Sequence, residues 1–318
     1  MSNIRLQCAN GDSLPMIGLG TWKAKPGEVY EAVKSAIEVG YRHIDCASVY
    51  GNEAEIGQAI ADQINAGTVS RDELWITSKL WCDSFAAEDI KPALISTLHD
   101  LQLEYLDLYL MHWPIPLKKG HGMRTADDFV DPVLLPYPDT WLNMNQLSAE
   151  GLVRHYGVSN FTVKKLKVLL ENTPFKPAVN QVELHPYLQQ ADLVNFCQGA
   201  GIHLTAYSPL GSSDRPDPLK QAGEPVLLEN SVIGEIAKEL SASAAQVIIA
   251  WLNSQGISTI PKSTHLDRQK QNLDSRHLNL SEEQVNKIAE IDLARRYITG
   301  EFWIKDEGFY TLEDIWDE

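Results

Sequence analysis

The sequence is short of bases. Its 318 residues carry 27 Lys and Arg against 43 Asp and Glu, a formal net charge of −16. Such a surface repels phosphate backbones and anionic lipids, which argues against nucleic acid and membranes as partners. An anionic ligand would need a local basic pocket. Cysteine is scarce too: Cys8, Cys46, Cys82 and Cys197 show no CxxC spacing and no zinc-ligand spacing with His, so no metal site is expected. Free thiols in a reducing cytosol are the simplest reading. No run approaches the ~18 apolar residues of a membrane span. The opening MSNIRLQCANGD lacks the apolar core of a secretory signal. A cytoplasmic protein is expected. No composition shift or Pro/Ser-rich linker divides the chain, so residues 1–318 are read as one domain. A GxGxxG turn is also missing. Gly18 and Gly20 are followed by Thr21, Trp22 and Lys23, and a Rossmann site is not expected.

What is present is an alternation. IRLQCANGDSLPMIGLG reads as two short strands about Asn10-Gly11, a strong hairpin signal. Eight β-rich runs follow: IGLGTW, YRHIDC, LWITSKL, YLDLYLMHW, VRHYGVSN, PAVNQVEL, IHLTAYSPL and GISTIPKS. Helical segments lie between them. PGEVYEAVKSAIEVG opens on Pro26 and closes on Gly40, the usual asymmetry of helix ends. NEAEIGQAIADQINAG places Ile56, Ile60 and Ile64 at i, i+4, i+8. Several strand runs are apolar on both faces, as parallel strands under helices should be. Eight β-then-α steps predict an α/β fold, a closed (β/α)8 TIM barrel with an N-terminal β-hairpin, with an open doubly wound sheet as the alternative. Long loops at about 114–139 and 211–226 belong to the C-terminal rim.

Polar residues recur where the strand runs end. Asp45 ends the second, with Tyr50 in the turn beyond it; Lys79 ends the third and His112-Trp113 the fourth. Ser159-Asn160 end the fifth, Gln181 lies in the sixth, Tyr207-Ser208 end the seventh and Lys262-Ser263 the eighth. In a parallel barrel these ends meet on one rim, where barrel enzymes hold their sites. Taken singly, each has a plainer explanation: Lys79 as a solvated loop cation, His112 as a structural ring, Tyr50 as packing, Asp45 as a helix cap. Together they make a credible acid–base set. A phenol with a pKa near ~10 is a weak acid. The Lys79 ammonium would lower that pKa, Asp45 would keep Lys79 charged, and His112 would orient a carbonyl oxygen. That protonates an alkoxide as it forms, which is half of a carbonyl reduction; a cofactor must supply the hydride. Lys262 and Arg268, cations in an acidic chain, suit a phosphate monoester, with a solvated ion-pair face as the plainer reading.

GYRHIDCASVYGNEAEIG, ITSKLW, LYLMHWP, GVSNF, NQVELHPY, AYSPLGSSDRP and IPKSTHLDRQKQN, in that order between about residues 4 and 292, resemble the successive blocks of the aldo-keto reductase family, aldose and aldehyde reductases in particular. The resemblance implies NADPH-dependent reduction of aldehydes or aldoses, with Asp45, Tyr50, Lys79 and His112 as the catalytic set and Tyr50 as proton donor. It implies a nicotinamide stacked on Tyr207, its carboxamide held by Ser159, Asn160 and Gln181, with Thr21, Trp22 and Ser208 as further cofactor contacts. Leu210, Ser212 and Asp214 would lie in a loop over the pyrophosphate. Lys262, Ser263 and Arg268 would hold the 2′-phosphate, and Gln271 and Asn272 would lie by the adenine. NADH is a weaker alternative, because Gln271 stands where many members carry Glu. The substrate pocket would be Trp22, Val49, Trp81, His112 and Trp113, with core packing as the plain reading of Trp81. The acidic, aromatic tail at 293–318 departs from the vertebrate aldose reductases and is expected to shape that pocket. His265 receives no role. A monomer acting on a small carbonyl compound is expected. Two other readings stay open. One is a sugar-phosphate reductase, with Lys118, Lys119, His121 and Arg124 on the substrate phosphate. The other is an idle NADP-binding regulatory or structural protein.

Overall fold

The computed structural model describes residues 5–7, as backbone, and 11–317. Cys8 and Asn10 lie outside these. Strands β1 (Arg5–Gln7) and β2 (Ser13–Pro15) pair antiparallel, as the hairpin reading requires. Eight further strands form one parallel sheet in chain order: β3 (Leu19–Gly20), β4 (His43–Asp45), β5 (Trp75–Leu80), β6 (Leu106–Met111), β7 (Val153–Ser159), β8 (Val179–Glu183), β9 (His203–Tyr207) and β10 (Ser258–Thr259). Each of the eight β-rich runs supplies one strand. Ile17 pairs with Thr259 and Gly20 with Lys262, both parallel, so the last strand meets the first and the sheet closes into a barrel. The open sheet is excluded. The seam requires a glycine: a Cβ at Gly20 would stand 2.6 Å from the Ile260 carbonyl oxygen.

Helices alternate with these strands: α1 (Glu28–Val39), α2 (Glu53–Asn65), α3 (Ala87–Leu101), α4 (Tyr137–Gln146), α5 (Val163–Asn172) and α6 (Ala191–Ala200). An extra helix, α7 (Ser231–Glu239), precedes α8 (Ala244–Ser254), and α9 (Leu266–Asp274), α10 (Glu282–Ala289) and α11 (Leu312–Trp316) follow β10. Helix α1 buries Val29, Ala32, Val33, Ala36 and Ile37, the i, i+3, i+4, i+7, i+8 stripe of an amphipathic helix. Gly40 ends it at φ +108, a conformation glycine adopts without strain. The start differs from expectation. Gly27, at φ +80, turns the chain just before Glu28, so Pro26 lies outside the helix. The loop expected to reach 139 likewise stops at Pro136, where α4 begins.

The barrel interior changes character along its axis. Leu108 and Leu110 of β6 join Leu14, Trp75 and Val179 in a small apolar cluster, so the hairpin residue Leu14 plugs the N-terminal mouth. Alternate residues Tyr109 and Met111 pack into the large cluster shared with the helices. Further toward the C-terminal ends the buried residues become polar: Asp45, Thr77, Lys79, Ser159, Gln181 and Thr205. Burying such groups is costly unless they are paired.

Candidate active site

Asp45 ends β4, in register with Gly20 of β3 and Thr77 of β5. Lys79, two residues beyond Thr77, points to the same side of the sheet. Its Nζ donates to Asp45 Oδ2 at 2.7 Å and to the Cys46 carbonyl at 2.8 Å. Gln181 Nε2 donates to Asp45 Oδ1 at 2.7 Å, and Thr21 Oγ1 to the Asp45 carbonyl at 2.8 Å. Lys79 is fully buried, so it is not a solvated loop cation. Asp45 caps no helix; Asn52 precedes α2. Burial alone would push the Lys79 pKa down, but Asp45 and Tyr50 outweigh it and the net direction is up, so Lys79 is an ammonium.

Tyr50 closes a short turn, Ser48–Tyr50, directly beyond β4. Lys79 Nζ lies 5.2 Å from its ring centroid, and the His112 ring meets it edge-on at 5.9 Å. Here one expectation is corrected. Lys79 does favour the phenolate, but desolvation is larger and pushes Tyr50 up to about 12. Tyr50 is therefore a protonated phenol throughout the neutral range. His112 follows β6, and its carbonyl accepts from Asn160 Nδ2 at 2.9 Å. Burial, then the charge of Lys79, holds its pKa well below the usual imidazole range, so the ring is neutral.

A cleft of about 1060 Å³ opens over this set. Asp45, Tyr50 and His112 line it, while Lys79 stands behind them. Along the same cleft lie Thr21, Trp22, Ser159, Asn160, Gln181, Tyr207 and Ser208, then Leu210, Ser212 and Asp214. Lys262, Ser263, Arg268, Gln271 and Asn272 line it too, with His265. The residues read as cofactor contacts from sequence are thus brought together. They brace one another. Ser159 Oγ donates to the Gln181 carbonyl at 2.8 Å, and Tyr207 OH donates to Asn160 Oδ1 at 2.7 Å. Gln181 has its Nε2 committed to Asp45, which sequence reasoning missed.

Val49, Trp81 and Trp113 complete an apolar wall with Met123, Ile298 and Phe302. Trp81 meets His112 edge-on at 5.2 Å and tilts against Trp303 at 5.8 Å, so it both packs and faces the cleft. Lys118, Lys119, His121 and Arg124 do not line the cleft. Lys119 Nζ donates to Ser84 Oγ at 2.7 Å, and His121 Nδ1 lies 3.0 Å from Asp128 Oδ1.

Two further residues escaped the sequence reading. Lys23 donates to Asp214 Oδ1 at 2.6 Å and to Ser212 Oγ at 3.0 Å, and Lys262 Nζ lies 3.5 Å from Asp214 Oδ2. The loop after β9 is thereby clasped from both sides of the barrel seam. Lys23, Asn160, Ser208 and Ser212 all have positive φ, a strained backbone held around the cleft. Glu183, buried at the end of β8, accepts the backbone N–H of Tyr297 at 2.7 Å and of Ile298 at 2.8 Å. It roots the tail. Among the described residues there is no group of three or more His, Cys, Asp or Glu that could hold a metal, and no helix long and apolar enough to cross a membrane.

Fold and site together define a (β/α)8-barrel protein with carboxylate, ammonium, phenol and imidazole gathered at one rim. The profile of the Aldo/keto reductase family matches residues 16–293. An aldo/keto reductase of Synechocystis sp. is 48% identical over 315 residues, 98% of this chain and 95% of that protein. Aldo-keto reductase family 1 member A1 of Sus scrofa is 45% identical over 291 residues, 91% of this chain and 89% of that protein. Among solved structures, the aldose reductase of Schistosoma japonicum has a TM-score of 0.86 at 38% identity, covering 94% of this chain and 96% of that one. An aldo-keto reductase of Bombyx mori, solved in complex with NADP, has a TM-score of 0.86 at 36% identity, covering 95% and 97%. The chain belongs to the aldo/keto reductase family and is an oxidoreductase of carbonyl compounds.

Proposed function

We propose that this chain reduces aldehydes to alcohols with NADPH, with Tyr50 donating the proton. The observation that carries the reading is one cleft lined by Asp45, Tyr50 and His112, with Lys79 behind, and also by Lys262 and Arg268. Its volume of about 1060 Å³ is at the upper limit for small-ligand sites, ~300–1,000 Å³, and leaves room for an extended dinucleotide beside a substrate. The residues fit the cofactor. Tyr207 offers a ring, Ser159 and Asn160 offer polar groups, and Arg268 is exposed with no ion-pair partner among the described residues. The solved relative with NADP bound supports the same assignment.

NADPH would supply the hydride. The chain's own residues do the rest. His112, neutral, offers a hydrogen bond to the carbonyl oxygen without competing for the proton. Tyr50 holds that proton on its phenol oxygen, and Lys79 stabilises the phenolate left behind. Asp45 and the Cys46 carbonyl hold Lys79 in place. The wall of Val49, Trp81, Trp113, Met123, Ile298 and Phe302 is apolar and carries no charged side chain, which favours neutral carbonyl substrates over sugar phosphates. Lys118, Lys119, His121 and Arg124, the candidate phosphate grip, lie outside the cleft. The tail, through Ile298 and Phe302, forms part of the substrate wall, and the whole chain acts as one domain.

A steady-state screen of aromatic aldehydes, aldoses and aldose phosphates with each cofactor tests this. Turnover of aldehydes with NADPH is the expected result. NADPH binding without turnover of any carbonyl would favour an idle, binding-only role.

A further inference from the structure

Lys165 is a buried lysine on the first turn of α5, remote in sequence from the tail and absent from the cleft lining. Its Nζ donates to the carbonyls of Asp314 at 2.8 Å and Ile315 at 3.0 Å, and to Asp317 Oδ2 at 2.7 Å. These are the last carbonyls of α11 and the residue that ends it. Asp317 also accepts from Thr162, the N-cap of α5, and from Lys164 at 3.1 Å. A five-residue helix has no stability of its own, so α11 exists because something holds it. A cation on its terminal carbonyls does so favourably. Lys164 is largely exposed and its pair with Asp317 is weak, which leaves Lys165 as the main cation on the end of α11, beside the packing of Ile315 and Trp316.

What this fastening holds is the cleft wall. Trp316, next to Asp317, donates Nε1 to the Thr299 carbonyl at 2.6 Å, and its ring meets Trp113 at 5.6 Å. Trp113, adjacent to His112, also meets Phe302 and Trp303, each at 5.6 Å. We infer that Lys165 is a specificity-determining positioning residue: by clamping α11 it keeps Trp316 on Trp113, and so fixes the aromatic wall against which bulky carbonyl substrates bind. This rests on the aldehyde-reducing reading above. Lys165 does not touch the cleft, but α5 follows Ser159-Asn160, which do, so NADPH affinity is the readout that separates an effect through the tail from one through the β7–α5 connection.

The test compares Lys165→Met and Asp317→Asn with wild type, using 4-nitrobenzaldehyde and propanal as substrates and NADPH titration for the cofactor. The expected result in Lys165→Met is a KM for the aromatic aldehyde raised about 5- to 150-fold, the ordinary range of coupling between sites, with the propanal KM and the NADPH affinity within about twofold of wild type. Asp317→Asn should move the same ratio in the same direction by less, since the Asp314 and Ile315 carbonyls still hold Lys165, and the double variant should fall short of the sum of the two, since they share the Lys165–Asp317 pair. The near-UV circular dichroism of the packed indoles Trp113, Trp303 and Trp316 should weaken in parallel. An unchanged KM ratio in both variants, with only a lower melting temperature, overturns the proposal, as does an equal loss of NADPH affinity. Should Lys165→Met fail to fold, Asp317→Asn carries the test. Should wild type reduce neither aldehyde, the functional reading fails, and the clamp is then decided by the indole signal: weakened in both variants supports it, unchanged overturns it.

Discussion

Lys79 Nζ lies 2.7 Å from Asp45 Oδ2, and both side chains are sealed from water. Removing such ions from solvent costs several kcal/mol each, and their attraction offsets this only when the remaining donors and acceptors are met. Here Cys46 and Gln181 meet them. Lys79→Met would leave a buried carboxylate with Gln181 and no charge partner. We expect a loss of roughly 3–5 kcal/mol in denaturant unfolding, the usual result of breaking a buried pair. Because the folded pKa of Lys79 is raised above 10.5, the pair's contribution in wild type is complete below that pH and is lost only at more alkaline values. The same variant removes the charge that pulls the Tyr50 phenol down, so any alkaline limb in kcat/KM should move to higher pH while the rate falls. Wild-type stability together with an unmoved profile would remove Lys79 from both roles.

Tyr50→Phe keeps the ring and its edge contact with His112 but removes the proton. We expect kcat to drop at least ~100-fold, the low end for losing a positioned acid, with NADPH binding retained. With the phenol held up at about 12, wild-type activity should show no decline from Tyr50 ionisation between roughly pH 7 and 9. Reduction by the Phe variant at near wild-type rate would reassign the donor.

The strand–helix alternation and the polar strand ends were legible because a parallel barrel places every strand end on one rim, so position in sequence maps to position in the site. Asp45, Lys79 and His112 follow from that rule, and Tyr50 from its place in the turn just beyond the second run. The net pKa of Tyr50 was not legible. It depends on how completely the site excludes water, and residue types do not record that. Lys23 and Glu183 were hidden for another reason. Lys23 meets Asp214 across 191 residues, and Glu183 meets the tail backbone at Tyr297 and Ile298. Pairings across the barrel seam, and bonds to main-chain N–H groups, leave no motif. Pro26 misled because the helix start was decided by the positive φ of Gly27.

Two buried histidines weaken the fold as pH falls, while Glu53, whose carboxyl burial pushes up to about 7, acts in the opposite sense over the same range. His43 is sealed between the Pro15 carbonyl and Thr77, and burial drives its pKa down to about 4; His112 is also held well below the usual value. Both regain a pKa near ~6.5 on unfolding, so below that pH the unfolded chain binds more protons and stability falls as pH drops. For His43 the loss between pH 6.5 and 5 should be on the order of 2 kcal/mol, at ~1.4 kcal/mol per pH unit. Urea unfolding of wild type and His43→Gln at pH 7 and pH 5 isolates it from Glu53 and His112, which are common to both proteins. His43→Gln should reduce the difference; an identical pH dependence in the variant would place the acid sensitivity elsewhere.

Arg268 should discriminate between the cofactors. NADPH and NADH differ at the adenosine ribose, where one carries a 2′-phosphate and the other a hydroxyl, and hydroxyl-reading sites normally present an acid there. In this cleft Lys262, Ser263 and Arg268 stand instead, and Lys262 is partly engaged by Asp214 at 3.5 Å. Arg268, with no such partner among the described residues, is the freer cation, and its guanidinium can meet a phosphate through two parallel N–H bonds. A charge-assisted bond contributes roughly 1.5–3 kcal/mol. Arg268→Ala should therefore weaken NADPH by about 10- to 150-fold, at ~1.4 kcal/mol per decade, and leave NADH almost unchanged. Since Arg268 is exposed, added salt should narrow the gap between wild type and variant. Fluorescence titration of both proteins with both cofactors provides the measurement. Equal losses for the two would mean that Arg268 holds the start of α9 together and does not read the phosphate.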